Sequence, residues 1–79
     1  MEKLQKLPLL PVGGTAYIHS VSNSGVIRQR LQDLGFGAGA KVEKVGVSPL
    51  GDPSAYCIHG AVIAIRNADA SLVTVRSYP

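Results

Sequence analysis

The chain has 79 residues, of which 46% are hydrophobic and 16% charged, and its formal net charge is +3. That length holds one small domain, and that composition belongs to a folded chain rather than a disordered one. A single cysteine, Cys57, excludes an internal disulfide and fits a reducing compartment.

Residues 1–8 read as an extended arm laid over the core of a single domain spanning 1–79. The apolar run that follows Lys6 is interrupted by Pro8 and Pro11, so it is too short for the apolar region of a signal peptide. No stretch approaches the roughly 18 apolar residues of a membrane helix. The segment TAYIHSV (15–21) is rich in strand formers and follows Gly13-Gly14, so it predicts a strand. In SNSGVIRQRLQDLG (22–35), Ile27, Leu31 and Leu34 recur along one face of a helix. Ser22, Asn23 and Ser24 offer N-cap oxygens, and Gly35 stands where a glycine ends a helix. Arg28 and Arg30, two apart, project about 200° from one another and do not form one patch. Arg28 falls on the wet face, while Arg30 borders the apolar one and is expected to snorkel.

The glycines at 35, 37 and 39, with Lys41 after them, raise the question of a phosphate loop. Such a loop places its anion at a helix N-terminus, where free N–H groups and the positive end of the dipole converge. Here a helix precedes the glycines and a strand follows. Ala40 and Val42 also break the P-loop pattern, and Ala40 breaks the dinucleotide pattern. The glycines therefore predict a helix stop and a turn into the next strand, with no nucleotide machinery.

KVEKVGV (41–47) reads as a strand with Val45 and Val47 on one face, and SPLGDPS (48–54) as a loop. Two strands follow in AYCIHGAVIAIR (55–66), divided near Gly60, with Tyr56 and Ile58 sharing one face and Ile63 and Ile65 another. NADA (67–70) reads as a turn, and LVTVR (72–76) as a last strand. The sum is a mainly-β fold, a small curled sheet or barrel of about five strands with one short α-helix.

Three motifs carry a resemblance. RQRLQDLGFGAGAKVEKV resembles the signature of the FeoA family, ferrous iron transport protein A, matched at Arg30, Leu31, Leu34, Gly35, Phe36, Gly39 and Val42. SPLGDP resembles the family's Pro-Leu-Gly-Asp-Pro loop, and GAVIAIRNADASLVTV resembles its closing pattern at Gly60, Ile63, Ala64, Arg66, Ala70, Val73 and Val75, with Ile65 where leucine is commoner. The resemblance covers about residues 9 to 76. It implies an SH3-like barrel and a cytoplasmic, non-enzymatic accessory role beside FeoB, the membrane Fe(II) transporter with a cytosolic GTPase domain. It also implies that the membrane is met only through that partner. A similar domain closes iron-dependent repressors. A chain that begins with Met1 and lacks room for a helix-turn-helix is expected to be the free-standing form.

For partner contact, the residues singled out are Leu50 and Asp52, in a loop stiffened by Pro49 and Pro53, together with Arg28. Leu50 is either an outward anchor or a plug folded into the barrel, and Asp52 either a polar contact or a turn cap. Cys57 and His59 alternate outward, their Cα atoms about 6.6 Å apart. Thiolate and imidazole suit Zn²⁺ or Fe²⁺, with His19 as a third ligand, so a metal-binding regulatory module is the competing reading. Activated-thiol or hydrolase chemistry finds no orienting third group, and no catalytic residue is assigned. Scattered basic residues and four aromatics make nucleic acid an unexpected partner. Homo-oligomerisation stays open.

Overall fold

The computed structural model describes residues 2–22 and 25–77. Its strands are β1 (Lys3–Lys6), β2 (Thr15–Val21), β3 (Lys41–Val47), β4 (Ser54–Ile58), β5 (Ala61–Ile65) and β6 (Val73–Ser77). They form one antiparallel sheet in the order β1-β6-β2-β3-β4-β5, with helix α1 (Val26–Asp33) and a single helical turn, α2 (Asn67–Ala70). The expected mainly-β architecture holds, with six strands where about five were counted. No helix among the described residues is long and apolar enough to cross a membrane.

The added strand lies in the N-terminal arm, which does more than lie over the core. Lys3 to Lys6 pair in register with Ser77 to Thr74 of β6. Leu7–Leu9 then make one 3₁₀ turn, with Pro8 in its first positions. In so tight a turn residues three apart eclipse, so Leu7 and Leu10 point the same way, and both are buried in the core.

On β3 the inward residues are Val42 and Lys44, while Val45 and Val47 turn outward. A register shift against β4 falls between Lys44 and Gly46. Lys44 is only 7% exposed. Its stem packs as a hydrocarbon, and its Nζ donates to the Pro8 carbonyl oxygen at 2.9 Å. The Gly13 N–H donates to the Lys44 carbonyl at 2.7 Å, and the Lys44 N–H to the Gly14 carbonyl at 3.1 Å. One lysine thereby ties the arm and the approach to β2 onto β3.

Helix α1 starts at Gly25, whose carbonyl accepts from the Gln29 N–H. Asn23 and Ser24, two of the expected caps, lie outside the described residues. Ser22 is no cap: its N–H and hydroxyl both donate to the Leu72 carbonyl, at 2.7 and 3.0 Å. Leu31 is buried, Ile27 packs partly against the core, and Leu34 is half-exposed, because the helix ends before Leu34 can swing fully inward.

The helix stop is a Schellman motif. Gly35 takes a φ of 107°, its N–H donates to the Gln32 carbonyl, and the Phe36 N–H donates to the Leu31 carbonyl. Both of the residues bracketing this stop, Leu31 and Phe36, are core. Gly39 then donates to the Ile18 carbonyl and Ala40 to the Gly37 carbonyl, which turns the chain into β3. The glycines thus follow a helix C-terminus, the end that repels anions.

Two outcomes check this packing. Leu31→Ala should cost about 2–5 kcal/mol in denaturant titration; a loss under about 0.5 would mean that another helix face is buried. Gly35→Ala should cost at least about 1–2 kcal/mol, because a residue with a Cβ must hold this left-handed backbone. A melting curve equal to wild type would reject that stop.

Candidate partner-binding face

The loop between β3 and β4 is built from internal hydrogen bonds. The Gly51 N–H donates to the Ser48 carbonyl at 2.8 Å, and the Ser48 N–H to the Pro53 carbonyl at 3.0 Å. The Ser48 hydroxyl donates to the Asp52 carbonyl at 2.8 Å. Asn67, the first residue of α2, clamps the loop from outside. Its N–H donates to Asp52 Oδ1 at 2.9 Å and its side-chain amide to the Gly51 carbonyl at 3.0 Å. Asp52 therefore uses its carboxylate to cap α2, and Leu50, at the tip, is 94% exposed. The outward orientation of Leu50 excludes the plug, and Asp52 spends its carboxylate on α2 rather than on the turn of its own loop.

Cys57 is half-buried on the outward face of β4, as the alternation predicts, with Tyr56 and Ile58 in the core. His59 lies in the two-residue turn to β5. Its φ is 51° and that of Gly60 is 80°, so both take the left-handed region that such hairpins demand. The His59 ring comes against Gly35: a Cβ there would fall 2.6 Å from His59 Cδ2. Cys57 and His59 share a shallow hollow with Lys41, Glu43 and Gly60. His19, on the outer side of β2, is not part of it. Among the described residues no group of three or more His, Cys, Asp or Glu side chains is placed to hold a metal ion.

A groove separates α1 from the end of β5 and α2. Ile27, Leu31 and Leu34 form one wall, Ala64 and Ile65 the other, and Arg30, Arg66 and Asp69 stand along it. Arg30 and Arg66 are both exposed. Arg30 was legible as a border residue, but nothing in the periodicity places Arg66 opposite it, since the two meet only through the packing of α1 beside β5. Arg28 is exposed on the helix surface and does not line the groove.

Beneath the loop, Tyr56 is wholly buried, and its hydroxyl has no hydrogen-bond partner among the described residues. Burial raises the phenol pKa above the ordinary 10.0; the nearby Ser54 hydroxyl offsets part of the rise, and the Asp52 carboxylate adds to it.

A family model described as the FeoA domain matches residues 5–77. The Fe(2+) transport protein A/Fe(2+) transporter FeoB fusion protein of Porphyromonas gingivalis is 34% identical over 70 residues, covering 89% of this chain and 8% of that one. The solution structure of the FeoA protein from Chlorobium tepidum matches with a TM-score of 0.84 at 37% identity, over 90% of this chain and 68% of that one. The zinc-complexed FeoA of Stenotrophomonas maltophilia, described as an SH3 domain protein, matches with a TM-score of 0.82 at 28% identity, over 92% and 95% of the two chains. The fold is accordingly the SH3-like one that the motifs implied.

Tyr56 generates a pH-dependent outcome. Its neutral form is favoured in the folded state, so that stability is complete below the unfolded value near 10.0 and falls as pH rises through the higher folded value. Tyr56→Phe should remove this alkaline loss. Equal alkaline slopes for wild type and variant in urea titrations would contradict the assignment.

Proposed function

The chain belongs to the FeoA domain family, and from that premise we propose that it is a cytosolic accessory protein of ferrous iron transport that acts by direct contact with an FeoB-type transporter. The observation that carries this reading is the Porphyromonas gingivalis protein, in which the two parts are joined in one polypeptide. Covalent linkage raises the effective concentration of two surfaces that meet, and it is useless to surfaces that do not.

The contact begins at Leu50. Its loop is hydrogen-bonded internally and clamped by Asn67, so an apolar side chain is presented to solvent at little further entropic cost on docking. The role requires no chemistry from this chain. By binding one state of the partner's GTPase or gate more tightly than the other, it shifts their balance.

A second reading is supported by the zinc-complexed relative. Cys57 and His59 would supply two donors for Zn²⁺ or Fe²⁺, and further ligands would come from water or the partner. Titrating each ion against the chain while following the Cys57 and His59 resonances separates the readings.

The contact is tested by capture of the transporter's cytosolic domain, with and without GTP. Leu50→Ala should weaken binding by about 1–2 kcal/mol and leave the melting temperature in place. Unchanged affinity would remove this loop from the interface.

A further inference from the structure

The two ends of the sheet are protected unequally. The β1 edge carries Lys3 and Lys6, charges that discourage pairing with another strand. The β5 edge reads Ala-Val-Ile-Ala-Ile, with no charge, no proline and no register shift against β4. Among the described residues, strand β5 pairs only with β4. Ile58 opposes Ala61 across the two-residue turn, so Ala61, Ile63 and Ile65 direct their backbone groups at β4. Val62 and Ala64 direct theirs away from it, toward the open edge, and no backbone group of a described residue outside the sheet bonds to them. The Val62 side chain is 66% exposed.

The groove runs beside this edge, because it is lined by both Ala64 and Ile65, which point to opposite faces of the strand. Its volume is about 200 Å³, room for side chains but not for a folded element. Arg30 and Arg66 stand along it against one carboxylate, Asp69, and neither arginine is ion-paired among the described residues. Two unpaired guanidinium groups beside an apolar trough favour a chain with carboxylates. They disfavour a second copy of this protein, which would bring the same two positive charges to the same place.

We propose that the β5 edge is a strand-addition site for an extended, apolar segment bearing acidic side chains. The segment hydrogen-bonds to Val62 and Ala64, lays an aliphatic side chain between Leu34 and Ala64, and offers carboxylates to Arg30 and Arg66. Asn67 ties the Leu50 loop to the start of α2, immediately after Arg66, so this site continues the face on which Leu50 stands. The chemistry of the segment is read from the edge itself; its assignment to the transporter rests on the contact reading above.

The test has two arms. In the first, a capped octapeptide of alternating leucine and glutamate is titrated into isotope-labelled protein, with a lysine-for-glutamate peptide as control. The acidic peptide is expected to bind, more weakly at high salt, and to slow hydrogen exchange at the Val62 and Ala64 amides. Val62→Pro removes an edge donor without touching the β4 ladder, and the double variant Arg30→Glu, Arg66→Glu reverses the charge. Each should weaken binding about tenfold. Val62→Lys, which keeps the backbone donor and blocks the edge by charge, covers the case in which the proline variant misfolds. Failure of the acidic peptide to protect these amides, or equal binding by the lysine peptide, overturns the proposal. In the second arm the transporter's cytosolic domain replaces the peptide. Weakened binding by the same variants supports the proposal. Undiminished binding overturns the edge as the transporter's site and leaves the contact reading intact. No binding by wild type sinks the contact reading, while the peptide arm still decides the edge.

Discussion

The stop at Gly35 is the constraint on which the rest of the arrangement depends. A left-handed residue there lets the Phe36 N–H reach back to the Leu31 carbonyl, and both side chains enter the core from the two sides of the turn. Helix α1 is thereby held at one end, with Ile27 and Leu34 left along its rim. The missing side chain has a second effect. It leaves the space into which the His59 ring settles, so the β4–β5 hairpin can lie close to the helix end. The trough between α1 and β5 follows from that closeness.

Much of this was legible in the sequence, because local chemistry and tertiary packing agree where it matters. The glycine after Leu34, the alternation of Tyr56 and Ile58 with Cys57, and the paired valines of β6 all occupy the places their patterns assign. Where the reading fell short, a residue type masked the position. Lys44 faces inward although it is charged, because its stem is apolar and the Pro8 carbonyl receives its ammonium group. The arm gives no strand signal by itself, because the four residues of β1 include two lysines. Their pairing depends on β6, which comes last in the chain. The metal expectation rested on alternation within one strand and could not foresee that His59 leaves the strand for a turn, or that His19 falls outside its hollow. The groove was invisible for a related reason: its charged residues come from separate elements.

The proposed contact face divides its labour. Asp52 and Asn67 are consumed in holding the loop, and this leaves Leu50 nothing inside the protein to touch. Arg30 and Arg66 stay without ion-pair partners among the described residues, while Arg76 is paired with Glu2 at the far end of the sheet order. Such a surface suits recognition: the apolar groups provide affinity and the charges fix register and partner choice.

The pairing of β1 with β6 has a consequence for architecture. Lys3 and Ser77 are cross-strand neighbours, so the two ends of the described chain emerge side by side. A module with adjoining ends can be spliced into a longer polypeptide through two short bridges, or cut open elsewhere and rejoined there, with little distortion of its interior. That seam lies at β1 and β6, whereas β5 closes the sheet order at the other extreme. A fusion made through these ends would leave the hydrogen-bonding edge of β5 unused.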